Sequence, residues 1–225
     1  MKKINTVLTS LTLLTAAASM SYASTAAKSG IKIQGQASYN MTPDNIFNQS
    51  SNDIVTIPEV TSTETTNGGY GGGVFVGYEY AFHSNMTLGG KLGYQYVYDI
   101  NSLNITTTDG SDNVKLNVHN IPLLATFSYY FNSGWLISTE AGIDLQKWQI
   151  KEHADSYGSS TTSSNWNIAP MLGVSSGYQW QNGLSLTASY SYVFGKSTDD
   201  LGSVGTNKAL AFSSIGINLS YIIPM

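Results

Sequence analysis

Apolar and polar residues alternate with a period of two along most of this chain. Between Met86 and Ile100 one face reads Met86, Leu88, Gly90, Leu92, Tyr94, Tyr96, Tyr98 and Ile100, seven of the eight apolar or aromatic. The other face reads Thr87, Gly89, Lys91, Gly93, Gln95, Val97 and Asp99. Successive side chains of a strand point to opposite sides, so the pattern predicts a strand with one apolar face. The same alternation runs through residues 31–41, 70–82, 135–146, 166–180, 184–195 and 209–223. Residues 113–131 carry two phases, one through Val114, Leu116 and Val118 and one through Ile121, Leu123, Ala125 and Phe127. The change near Asn120-Ile121-Pro122 predicts a β-bulge, where Pro is tolerated because a ladder bond is already missing. Eight strands result.

The connections are of two kinds. His83-Ser84-Asn85, Asn132-Ser133-Gly134 and Gln181-Asn182-Gly183 suit tight hairpins, and their centres at 84, 133 and 182 are 49 residues apart each time. The stretches 42–67, 101–113, 151–165 and 196–207 are rich in Ser, Thr, Asn, Asp and Gly and read as long loops. Short and long connections alternate, so the tight turns lie at one end of the sheet and the long loops at the other.

An antiparallel set of this kind closes in one of two ways. A soluble barrel turns its apolar face inward around a ligand, and a membrane barrel turns it outward to lipid. Three features favour lipid. Several strands alternate over 13 or more residues, and a tilted strand needs about 9–11 to cross a bilayer. The polar face holds Gly, Ser, Thr, Gln and Asn with few charges, as a narrow lumen requires. Aromatic residues gather in two bands, at Tyr78, Tyr80, Phe82, Tyr129, Phe131, Trp135, Tyr178, Trp180 and Tyr221 near the tight turns. The second band, near the loops, is Tyr94, Tyr96, Tyr98, Trp148, Trp166, Tyr190, Tyr192 and Phe194. Two such bands match interfacial girdles.

Composition agrees. Charged residues are 11% of the 225, against 41% hydrophobic, and a soluble domain carries about 25% charge. There is no Cys, which excludes disulfides, Cys-type zinc sites and thiol nucleophiles. At the N-terminus, Lys2 and Lys3 precede an apolar stretch from Val7 to Ala18, and Ser21-Tyr22-Ala23 suits cleavage after Ala23. Residues 1–23 are therefore expected to be a secretory signal peptide and 24–225 the barrel domain. Without the signal, 8 Lys face 14 acids, a formal charge of 8 − 14 = −6. No basic patch of nucleic-acid-binding kind is evident in the sequence.

On these grounds the chain resembles the small eight-stranded outer-membrane barrels: the OmpA transmembrane domain, OmpX and the opacity-type surface proteins. The resemblance covers essentially all of residues 24–225 and implies an all-β, antiparallel up-and-down transmembrane β-barrel in a Gram-negative outer membrane. It implies as partners the outer-membrane lipids and lipopolysaccharide, periplasmic chaperones and the barrel assembly machinery, which reads a C-terminal β-signal. Ser214, Gly216, Leu219 and Tyr221 fit that signal, although the chain continues to Ile222-Ile223-Pro224-Met225 instead of stopping on an aromatic. The resemblance is to the barrel alone, with no peptidoglycan-binding domain expected after it. It implies a monomer with a structural or adhesive role, its four outward loops meeting host or surface ligands.

Candidate chemistry is sparse. Glu79, Lys91 and Glu140 share the lumen face. Lys91 falls opposite Gly77 in the first hairpin, and Glu140 lies as far from its turn as Lys91 from its own. An interior ion-pair cluster is expected, acting as a plug or, alternatively, as the gate of a small porin-like channel. His119 falls on the lumen face by parity, and the three His are not at metal-ligand spacing. A lipid-modifying hydrolase would need an outward His and Ser two apart on one strand, and none of the three His meets that. No cofactor, metal or catalytic residue is expected, and the protein is not read as an enzyme. The run Gly68-Gly69-Tyr70-Gly71-Gly72-Gly73 lacks the Lys and helix of a phosphate loop.

Overall fold

The computed structural model describes residues 27–43, 60–108, 110–154, 158–195 and 209–225. The expected signal peptide at 1–23 and the loop at 196–207 lie outside the described residues, as does 44–59 of the first loop. Ten strands are present among those described: β1 (Gly30–Met41), β2 (Val60–Asn67), β3 (Gly69–His83), β4 (Met86–Thr107), β5 (Ser111–Tyr130), β6 (Trp135–Ala154), β7 (Gly158–Ser163), β8 (Asn167–Gln179), β9 (Leu184–Val193) and β10 (Phe212–Pro224). Eight of them form a closed antiparallel ring in the order β1-β3-β4-β5-β6-β8-β9-β10, with β10 returning to β1. The seam runs in unbroken register from Gly30↔Pro224 to Met41↔Ser213. Strands β2 and β7 prolong the lines of β3 and β8 and pair with β4 and β6.

The alternation read from the sequence sorts the side chains as a membrane barrel requires. Ile33, Val74, Val76, Leu88, Leu123, Leu172 and Ile217 stand exposed on the outside, while Gln34, Ser38, Gln95, Thr126, Ser138, Ser175 and Asn218 are buried within. Each strand of the ring is laddered to a neighbour on both sides, which is what permits strands in lipid at all. Aromatics pack pairwise at both rims, as in Trp135–Tyr178 and Tyr178–Trp180 at the turn end and Tyr39–Tyr70 and Tyr192–Phe194 at the other.

Three expectations need correction. The stretches 101–113 and 151–165 are mostly strand rather than loop. β4 and β5 meet at a short turn in which the Thr107 amide donates to the Gly110 carbonyl at 2.9 Å. Above the lipid the outward face is no longer required to be apolar, so the alternation that marked the strands fades while the ladder continues. The bulge is also elsewhere. β5 pairs with β6 without interruption from Asp112↔Ala154 to Tyr130↔Leu136. The slip lies in β4 between Val97 and Asn101, where Asp99 adopts a positive φ of 57°. The apparent change of phase in β5 is a change of filling: Leu116 and Val118 are buried inside the barrel beside Asn120. Third, Trp148 does not join the rim aromatics. It points inward and is buried, packed with Val118, Met171, Leu210 and Phe212.

Where β2 passes to β3, Gly68 holds a φ of +125°, and the Tyr39 ring occupies the space a side chain would need. Gly134 at the second tight turn has a φ of +89°, with the Tyr178 ring 2.7 Å from where a Cβ would stand. Gly134→Ala is expected to lower stability by about 1–2 kcal/mol, read as a lower urea midpoint for loss of heat-modifiable gel mobility. Wild-type protein should show that mobility shift in outer-membrane fractions.

Candidate functional site

The interior is built in layers along the barrel axis. At the turn end Tyr130, Leu136 and Ile222 form a buried floor. Above it lies a charged layer. Lys32 on β1 and Lys91 on β4 flank Gly77 from its two sides, since Lys32↔Gly77 and Gly77↔Lys91 are direct cross-strand pairs. The missing side chain at Gly77 makes room for them: a Cβ there would stand 2.8 Å from that of Lys91.

The charges are resolved into two pairs. Lys32 Nζ donates to Glu79 Oε1 at 2.6 Å, and Lys91 Nζ donates to Glu140 Oε1 at 2.7 Å. Glu79 is saturated: its Oε2 also accepts from the Tyr130 hydroxyl at 2.9 Å and from the Thr87 hydroxyl at 3.0 Å. Lys91 sits over the Phe75 ring, 4.8 Å from its centroid. Of the residues singled out by sequence, Lys91 and Glu140 are thus joined directly, while Glu79 takes Lys32. Lys32 went unnoticed although its neighbours Ile31 and Ile33 lie on the outward face, so the same parity places it inside. The space left among these side chains is about 20 Å³, the room of about one water molecule.

Above the charged layer Asp144 is 1% exposed, between the cross-strand neighbours Pro122 and Ala169, neither of which offers a side-chain donor. An apolar plug then closes the barrel. Val97, Leu116, Val118, Trp148 and Phe212 are buried together with Leu210. Gln146 ties Leu210 down, its Nε2 donating to the Leu210 carbonyl at 3.2 Å while the Leu210 amide donates to its Oε1. Such filling is the normal interior of an eight-stranded barrel.

His119 is on the outside, contrary to the sequence reading, because the bulge that would have turned it inward does not exist. Its Nδ1 meets the Tyr94 hydroxyl at 2.7 Å and its ring lies 4.8 Å from that of Tyr96. His83 is in a tight turn with its Nδ1 against Asn85 at 2.5 Å. His153 is exposed on β6 with its Nδ1 2.8 Å from Ser159 Oγ. Among the described residues no group of three metal-ligating side chains forms. In β10, Ser214 and Gly216 face inward, and Leu219 and Tyr221 outward at 54% and 43% exposure.

Beyond the lipid band, β2, β4, β5, β6 and β7 continue as a polar sheet. Its two margins are β2 and β7, each paired on one side among the described residues. Their sequences, VTSTETTN and GSSTTS, are dominated by Ser and Thr.

The closed ring, its lipid-facing exterior and its filled interior define an outer-membrane β-barrel. Residues 9–222 match the outer membrane protein beta-barrel domain family, and the chain belongs to that family; its place is the bacterial outer membrane. No curated protein sequence matches the chain. Among solved structures, Neisserial surface protein A is 13% identical, with 88% of this chain and 99% of that one covered and a TM-score of 0.56. Ail, the attachment invasion locus protein of Yersinia pestis, solved with the heparin analogue sucrose octasulfate, is 12% identical over 87% and 98% with a TM-score of 0.46. The outer membrane protease OmpT of Escherichia coli is 9% identical over 91% and 99% with a TM-score of 0.45. At these identities the likeness is one of fold.

Removing one member of a buried ion pair leaves the other unpaired and costs about 3–5 kcal/mol. Glu140→Leu is therefore expected to reduce the unfolding free energy in urea by about that amount. Adding Lys91→Met should restore most of the loss.

Proposed function

We propose that this barrel is a non-enzymatic surface protein, acting as a monomer, whose protruding sheet engages host or surface ligands. The observation that carries this reading is the five-stranded polar sheet standing beyond the lipid band with β2 and β7 at its margins. An unpaired strand edge presents a row of amides and carbonyls to which an extended partner segment can add. Exposed Ser and Thr side chains add hydroxyls at both margins. The Lys32–Glu79 and Lys91–Glu140 pairs, on this reading, are a structural plug holding opposite walls together. The two apolar layers, one at Tyr130 and Leu136 and one at Trp148 and Leu210, support a plug over a conducting pore. Ser214, Gly216, Leu219 and Tyr221, on the strand that closes the ring, serve as the signal to the assembly machinery.

Cells expressing the protein should attach to host cells or coated surfaces, and deleting residues 155–163, which removes β7, should abolish most of that attachment without altering heat-modifiable mobility. Planar-bilayer recording should show no stable conductance for wild type, and none for Lys91→Met. Unchanged attachment together with a steady current would replace this reading with a gated channel.

A further inference from the structure

The charges inside the barrel do not balance. Among the described residues, the lumen below the apolar plug holds two lysines, Lys32 and Lys91, and three carboxylates, Glu79, Glu140 and Asp144. Each lysine is committed to one glutamate, at 2.6 Å and 2.7 Å. Asp144 is left over. The other lysines of this wall, Lys115 on β5 and Lys147 and Lys151 on β6, have the opposite parity and face outward.

Neither carboxylate oxygen of the buried Asp144 has a hydrogen-bond partner in the protein. Its direct neighbours are Pro122 and Ala169, and the diagonal ones Leu124 and Met171 are apolar and buried. Gln146 spends both ends of its amide on Leu210, and Asn167 donates to the Asn165 carbonyl at 2.9 Å. The remaining polar neighbour is Asn120. It lies diagonally from Asp144, because Asn120 pairs with Gln146 and Pro122 with Asp144. Asn120 is 1% exposed, and neither its Oδ1 nor its Nδ2 has a partner. An ionised carboxylate buried without a partner is too costly to keep. A proton removes the charge but leaves the orphans, since a carboxyl group still needs an acceptor for its O–H and Asn120 stays unpaired. A body of finite size between the two side chains meets both needs. Diagonal residues on neighbouring strands stand about 7–8 Å apart. Two oxygens gripping one hard cation stand about 5 Å apart, twice the usual cation–oxygen distance.

We infer that Asp144 and Asn120 hold a monovalent alkali cation inside the barrel, with Asp144 supplying the neutralising charge and Asn120 Oδ1 a further oxygen. The surplus of one negative charge matches a single positive one. A lone carboxylate is too little for calcium, which takes about 6–8 oxygens. The donors are hard oxygens, and the chain has no Cys, so a soft transition metal is not suited. The apolar layers at Tyr130 and at Trp148 shut the lumen on both sides. The ion therefore enters as the ring closes and stays trapped, which ties its binding to folding. The site is independent of the protruding sheet and its edges.

The test is to refold the full chain from urea into zwitterionic detergent micelles in sodium chloride, and separately in choline chloride of the same ionic strength, choline being too large for the site. Alkaline pH is used, where a proton competes least for the carboxylate. The wild-type protein is expected to show a higher urea midpoint in sodium, by an amount that a calcium chelator leaves unchanged. Protein refolded in radioactive sodium and passed through a choline-equilibrated column should keep a single labelled ion per chain. Asp144→Asn should keep none and show the same midpoint in both salts. Glu64→Gln, on exposed β2, should behave as wild type. Equal wild-type midpoints in the two salts would overturn the inference, as would complete loss of label on the column, and both readings stand whether or not Asp144→Asn folds. A midpoint that follows pH but not the cation would put a proton on Asp144 in place of the ion. Label held by Asp144→Asn at the wild-type level, or a sodium effect abolished by the chelator, would overturn it too.

Discussion

The structure depends on the requirement that no backbone amide or carbonyl be left unpaired in hydrocarbon. An open sheet cannot meet it, because its two edge strands would face lipid with unmatched groups. The β10–β1 ladder meets it, running twelve residues in each strand without a bulge. Once the ring is closed, its circumference is fixed by eight strands, and the interior is narrow enough for side chains to fill. The outer face must then be apolar and the inner face must satisfy itself. Low overall charge, alternating residues and a layered lumen are consequences of that one closure.

Inside, the same narrowness dictates how charge is held. A lysine and a glutamate confined there have little water to solvate them, so each is matched, and Glu79 gathers three donors. The apolar layers above and below the charges keep solvent away and strengthen the pairs they isolate. Beyond the lipid the constraint lapses. β4, β5 and β6 extend to 20 residues or more, their neighbours β2 and β7 are each paired on one side among the described residues, and lysines can face outward again.

The fold was legible because lipid imposes a period of two on one face and aromatics at two heights. The tight turns and the depth match of Lys91 with Glu140 follow from hairpin spacing alone. Lys32 was equally legible from the parity of Ile31 and Ile33. What the sequence hid lies above the membrane. Leu116 and Val118 looked like a change of register because an inward apolar residue was not expected in a polar lumen. His119 was turned to the wrong side by the same step. Trp148 was placed at the rim on its residue type, when the plug needed a large ring inside. The segments 101–107 and 158–163 lack the outward apolar face that lipid imposes on the other strands, so only the ladder reveals them as strands.

The seam has a further consequence for how the chain reaches its native state. Gly30 pairs with Pro224, so the first ladder bond of the barrel joins residues almost the whole described chain apart. Bringing such distant ends together costs roughly 5 kcal/mol of chain entropy before any contact compensates it. The hairpins at Ser84, Ser133 and Asn182 can form early and locally, but each leaves lipid-incompatible edges until the last strand arrives. Folding is therefore slow and ends in a single late step of closure. Until then the exposed edges are open to pairing with other chains.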